Sequence, residues 1–204
     1  MQNIAFAAIF ALAGYLLGSI PFGVIIAKSK GVDIFKFGSG NPGATNVKRA
    51  CGQKAGNLCF LLDALKGFLA TIAPLAADRF ITPIGNTHNI MVVALIAAIA
   101  GHMYPIFTKF RGGKGVSVTI GGLAAFMWIA ILIGLIVWVA AFYSTKYVSV
   151  ASILMAISLP ISAPFLYGGG SVEFYLSIFI AAAVVYKHKS NIARLISGTE
   201  NRFK

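Results

Sequence analysis

The sequence predicts an all-α integral membrane protein of seven transmembrane helices, with its N-terminus outside and its C-terminus in the cytoplasm. Three observations carry that expectation. Apolar residues make up 58% of the 204 residues and charged residues 11%, about half the charge of a soluble domain, and the mean hydropathy is +0.86. The apolar residues gather in runs of roughly 20, the length of helix that crosses the hydrocarbon of a bilayer. The 17 Lys and Arg, set against five acids for a net charge of +12, stand almost entirely between those runs.

The first run, residues 2–27, has no basic residue before it and Lys28 and Lys30 after it. A signal peptide would begin basic and have a shorter core, so this reads as a span whose C-terminal end is cytoplasmic. Further spans are expected at 55–77, 89–108, 147–167 and 172–187. Residues 116–145 are long for one span and short for two. If they cross once, there are six spans and the basic tail lies outside. If they cross twice, there are seven, the tail returns inside, and 15 of the 17 basic residues become cytoplasmic, as the positive-inside rule prefers. Arg79 is then outside and Lys66 lies within a span. The run is therefore divided near Gly134, a single kinked helix being the other reading. Pro160 and Pro164 should kink or end the sixth helix, and Gly168 to Gly170 should make an outer turn. The whole of 1–204 reads as one transmembrane domain.

Composition also excludes some functions. Cys51 and Cys59 are too few for a disulfide framework or a four-ligand zinc site; they read as small buried hydrophobes. The basic excess suits an anionic membrane surface or anionic substrates. Nucleic acid is not expected, because the cations form no basic domain or stripe.

Polar residues and glycines interrupt the apolar chain in three places, all assigned to one face. The first is 38–49, Gly-Ser-Gly-Asn-Pro-Gly-Ala-Thr-Asn-Val-Lys-Arg. Asn41 and Pro42 read as N-cap and first residue of a short helix running to about Cys51. Its free N–H groups, behind a turn made by Gly38, Ser39 and Gly40, form an anion site in kind. Thr45, Asn46 and Arg49 share a face by helical spacing. The second is 109–117, Lys-Phe-Arg-Gly-Gly-Lys-Gly-Val-Ser. It lacks the Ser or Thr after Lys114 that a nucleotide phosphate loop requires, and no strand precedes it. The phosphate-binding physics survives in the backbone of Gly112, Gly113 and Gly115, the fork of Arg111 and the point charge of Lys114. The third is 188–200, where His188, Asn191 and Arg194 recur every three residues and Gly198 and Glu200 follow. An amphipathic tail on lipid headgroups explains its apolar residues; His188 and Asn191 suit hydroxyl recognition better. Asp63 and Lys66, three apart within a span, read as a structural ion pair, and His102 as a core histidine beneath the second loop.

Such a site should bind one or two phosphates. The usual catalytic sets are missing: no Gly-x-Ser-x-Gly elbow, no His followed five residues on by Asp, and no Asp/His set for a catalytic metal. A reaction here must use an already activated substrate and work by positioning and charge stabilisation. The rival reading is a transporter of an organic phosphate, which would place polar residues at mid-membrane. A structural adaptor would leave the phosphate-like loops unexplained.

Gly-Ser-Gly-Asn-x-Gly-Ala-Thr-Asn-x-x-Arg at 38–49, Gly-x-x-x-Pro at 101–105, Gly-Gly-Lys-Gly-Val at 112–116 and His-x-x-Asn-x-x-Arg at 188–194 together resemble the bacterial acyl-phosphate:glycerol-3-phosphate acyltransferases, over essentially the whole chain. The resemblance implies seven helices in the bacterial inner membrane and an active site at the cytoplasmic face. It implies transfer of a fatty acyl group from acyl phosphate to the 1-hydroxyl of sn-glycerol 3-phosphate, giving lysophosphatidic acid and inorganic phosphate, the first membrane step of bacterial phospholipid synthesis. It implies no cofactor or metal, the donor's own phosphate as proton acceptor, and the acyl-phosphate-producing enzyme as a protein partner beside membrane lipid. Carried over, Ser39, Arg49, Lys114, His188 and Asn191 line the glycerol-phosphate site. Gly38, Gly40, Asn41, Gly43, Thr45, Asn46, Arg111, Gly112, Gly113, Gly115 and Arg194 contribute to phosphate handling, and Glu200 supports the tail. Pro42 fills a position that is variable in the family and would stiffen the first loop.

Overall fold

The computed structural model describes residues 2–203. Among them there is no strand. The helices are α1 (Gln2–Ser19), α2 (Phe22–Ser29), α3 (Ala44–Cys51), α4 (Gln53–Phe80), α5 (Thr87–Met103), α6 (Val116–Ala124), α7 (Trp128–Thr145), α8 (Val148–Tyr167), α9 (Val172–Lys187) and α10 (Lys189–Ile196), with a 3-10 turn at Ile106–Thr108. Five segments among the described residues are long and apolar enough to cross a bilayer: Asn3–Ser29, Gln53–Phe80, Thr87–Thr108, Trp128–Thr145 and Val148–Tyr167. The chain divides into two compact units, Met1–Ala125 and Phe126–Lys204.

The first unit is built on close backbone approach. A side chain at Gly14 or Gly18 of α1 would strike the backbone of Ala94 or Ala98 on α5, and one at Gly101 would strike the carbonyl of Tyr15. On α4 and α6, Gly67 faces the carbonyl of Val118 and Gly121 that of Ala64 in the same way. Helices in lipid gain little from burying apolar surface, so small residues that let backbones meet are how they associate. Beneath α2 and the first loop, Ile26, Ala27, Ile34, Val47, Ala55 and Cys59 form a small buried core. In the second unit α7 packs on α8 and α8 on α9, around Ala151, Met155, Leu159, Ile180 and Val184.

The structure refines the expected spans and corrects one division. The first span is present as Asn3–Ser29, and within it the helix breaks after Ser19, since Pro21 has no N–H to continue the ladder. At the break the carbonyl of Ile20 accepts from the N–H of Phe22 (3.1 Å) and from Lys66 Nζ (2.7 Å). The run 116–145 does divide into two helices, but between Ala124 and Trp128, not near Gly134. Gly134 lies inside α7 against Met155; it serves packing and leaves the helical ladder intact. Of the two effects expected of Pro160 and Pro164, ending the helix does not occur: α8 runs through both and stops at Gly168 (φ 93°). There the N–H of Gly168 closes on the carbonyl of Pro164 at 3.1 Å. The span expected at 89–108 is present as Thr87–Thr108; its α-helix ends at Met103, before Pro105, and the 3-10 turn completes it.

Candidate functional site

The first polar loop is held by its own asparagines. Asn46 is 2% exposed. Its Nδ2 donates to the carbonyls of Phe37 (2.9 Å) and Ile34 (3.4 Å), and its Oδ1 accepts from the N–H of Ser39 (3.2 Å). That amide fixes the Gly38–Ser39–Gly40 turn, whose two glycines sit at φ 55° and 66°. The helix expected to start at Asn41 starts later: Gly43 is the N-cap of α3. Asn41 Oδ1 is occupied by the N–H of Gly43 at 2.9 Å, a side-chain turn that holds the backbone out of the helix for two more residues. The helix ends at Cys51, as the sequence suggests. The first N–H groups of α3 therefore belong to Ala44 and Thr45, and Arg49 lies one turn beyond Thr45, both half-buried.

The second loop is packed onto the end of α5. The N–H of Gly113 donates to the carbonyl of His102 at 3.0 Å. Side chains at Gly112 or Gly113 would collide with the carbonyl or the ring of His102. Gly115 caps α6 at φ 87°, a conformation that L side chains rarely adopt. Lys114 is thus carried between one glycine pressed on a histidine and another that opens a helix, where N–H groups lack intrahelical partners.

The two loops meet. Asn41 Nδ2 donates to the carbonyl of Gly112 at 3.3 Å. The exposed Arg111 lays its guanidinium over the Phe35 ring, 4.2 Å from the centroid, a cation–π contact that ties the loops a second time. The expected ion pair below them forms: Lys66 Nζ is 2.8 Å from Asp63 Oδ1, with both side chains at 3% exposure or less.

In the second unit, α10 supplies the expected helical extension. His188 is buried, with Nδ1 2.8 Å from the carbonyl of Val184. A carbonyl only accepts, so that nitrogen carries the proton. Glu200 gathers its surroundings: its carboxylate accepts from Asn191 Nδ2 (2.6 Å), Arg194 Nε (2.7 Å) and Ser149 Oγ (2.9 Å). Burial would raise the Glu200 pKa, but these three donors and the Arg194 charge outweigh it and hold the carboxyl below its ordinary value. Ser149 gave no signal in the sequence, since a lone serine at a helix start is ordinary. Gly198, at φ 70°, turns the chain back so that Glu200 reaches α10.

A helical integral membrane protein whose two cationic glycine loops are joined to each other is the class defined by these features. The family profile described as glycerol-3-phosphate acyltransferase matches residues 8–198. The chain is 43% identical to a glycerol-3-phosphate acyltransferase of Aquifex aeolicus, covering 97% of this chain and 98% of that one. It is likewise 43% identical to one of Fusobacterium nucleatum, covering 96% and 97%. Among solved structures it is similar to the crystal structure of PlsY, an integral membrane glycerol 3-phosphate acyltransferase, in its glycerol 3-phosphate form. The TM-score is 0.86 at 42% identity, covering 97% of this chain and 96% of that one. The lysophosphatidic acid form of PlsY gives 0.83 at 42% identity, covering 97% and 95%. The chain belongs to the glycerol-3-phosphate acyltransferase family.

Proposed function

We propose that this protein transfers a fatty acyl group from acyl phosphate to the 1-hydroxyl of sn-glycerol 3-phosphate, yielding lysophosphatidic acid and inorganic phosphate. The observation that carries the reading is the joining of the two loops through Asn41 and Gly112. It sets Lys114, the N-terminus of α6 and the N-terminus of α3 in one neighbourhood suited to phosphate groups. Relatives named glycerol-3-phosphate acyltransferase, and a neighbouring structure in a glycerol 3-phosphate form, support the acceptor.

In this proposal Arg49 and Lys114 hold the acceptor phosphate, and Ser39 with the loop N–H groups receives the phosphate of the donor. His188 and Asn191 orient the acceptor's hydroxyls, and Glu200 holds Asn191 and Arg194 for that task. The acceptor oxygen forms a bond to the acyl carbon while the bond from that carbon to the donor's phosphate oxygen breaks. The hydroxyl proton passes to the departing phosphate, a good leaving group and the base for its own reaction. The protein supplies position and charge; no step calls on a metal or cofactor. The proposed setting is the bacterial cytoplasmic membrane, with seven crossings and both loops on the side where soluble glycerol phosphate is found.

The test uses purified protein in detergent with sn-glycerol 3-phosphate and either palmitoyl phosphate or palmitoyl-CoA, following lysophosphatidic acid and free phosphate. Product from palmitoyl phosphate alone is expected. Product from the thioester would overturn the donor assignment. No product from either, with protein shown to be folded, would overturn the reaction and favour uptake of organic phosphate as the next assay.

A further inference from the structure

Beneath the joined loops lies a buried polar cluster that the proposed chemistry does not use. Asp63 is 2% exposed, Lys66 3% and His102 8%. One carboxylate serves both loops. Asp63 Oδ1 lies 3.6 Å from His102 Nδ1, and His102 carries the second loop. Asp63 Oδ2 lies 3.6 Å from Cys59 Sγ, which is 4.0 Å from the carbonyl of Pro42 in the first loop. Lys66 completes the group by bridging Asp63 Oδ1 (2.8 Å) and the carbonyl of Ile20 (2.7 Å) at the break between α1 and α2.

We propose that His102, braced by Asp63 and Lys66, is a positioning residue that sets the Gly112–Gly113 backbone, and with it Lys114, against the first loop. Two contacts make His102 the floor of that loop. Its carbonyl accepts from the N–H of Gly113. Its ring fills the space where a Gly113 side chain would go: the three nearest atoms to an added Cβ are Nε2, Cε1 and Cδ2 of this imidazole. A charge pair inside a membrane protein is costly to keep. Holding two loops in register gives this one a reason to persist that packing alone would not.

The consequence for acyl transfer rests on the function proposed above, so the experiment reads the loop directly as well. Hydrogen exchange at the amides of 112–115 is measured in detergent for wild type, Asp63→Asn, His102→Ala, Gly113→Ala and the double variant His102→Ala/Gly113→Ala. Steady-state kinetics against sn-glycerol 3-phosphate accompany it. Displacing a binding group by about 1 Å costs up to roughly 100-fold. Gly113→Ala is therefore expected to lower kcat/KM by that order, mostly through KM, and His102→Ala by about tenfold. The double variant should recover activity relative to Gly113→Ala, because the new methyl enters the space the ring leaves. Faster exchange at 112–115 in Asp63→Asn and His102→Ala, with the interior amides of α4 and α5 unchanged, is the expected signature. Wild-type exchange and KM in His102→Ala, or a double variant as impaired as the product of the two single effects, would overturn the inference. An inactive wild type would overturn the functional reading alone, since the exchange data still decide whether His102 sets the loop.

Discussion

Lys114 lies two residues beyond the Gly112 carbonyl to which Asn41 donates, and as the proposed holder of the acceptor phosphate it carries the sharpest expectation at the scale of single residues. Removing a charged contact to a bound phosphate costs about 2–3 kcal/mol. Lys114→Ala should therefore reduce kcat/KM for sn-glycerol 3-phosphate by roughly 30- to 150-fold. Full activity at subsaturating acceptor would sink its assignment. Glu200 gives a pH signature of a different kind. Its folded pKa is depressed below the ordinary 4.5, so it contributes stability above that value, and the contribution is lost as pH falls through the folded pKa. Thermal unfolding in detergent should show Glu200→Gln less stable than wild type at neutral pH. The gap should narrow as both are taken below pH 4.5. A gap that stays constant in acid would mean that the carboxylate charge is not what Ser149, Asn191 and Arg194 respond to.

Helices tell a more uneven story about what the sequence discloses. Runs of apolar residues located the long helices well, because in lipid the backbone must satisfy its own hydrogen bonds and helix is the one local solution. Boundaries inside the runs were less legible. Gly134, Pro160 and Pro164 look like breaks in a list of residues, yet each is absorbed into a helix, while the real division near Phe126 falls among ordinary residues. The chemical motifs stood out because they are the polar exceptions in an apolar chain. What joins them did not: Asn41 reaches across 71 positions to Gly112, and no periodicity encodes that. The glycines on facing helices follow the same logic. Gly121→Leu would drive a side chain into the carbonyl of Ala64 on α4, at a cost of about 1–3 kcal/mol for overpacking. A lowered melting temperature in detergent is the expected result. An unchanged one would mean that α6 does not sit this tightly on α4.

For the molecule as a whole, sidedness is the property on which the proposed site depends. The proposed seven crossings return the tail to the side of the two loops, with 15 of the 17 cations cytoplasmic and Arg79 outside, the distribution that the positive-inside rule favours. A reporter fused after Arg202 and active only in the cytoplasm is the expected result. Periplasmic activity would leave six crossings and would separate His188 and Asn191 from Lys114 by a bilayer.

The ion pair buried under the loops also bears on how this sequence can drift. Removing one member of such a pair strands the other charge and costs about 3–5 kcal/mol, whereas replacing both by apolar residues is often neutral or better. Position 63 is further tied to 102, and 102 to the bare backbone at 113. Single-step neutral paths through 63 or 66 are therefore closed. An alignment of relatives should show these two sites changing together or not at all, with any side chain at 113 accompanied by a smaller residue at 102. Independent variation at 63 and 66 would mean that the pair is not an inherited unit.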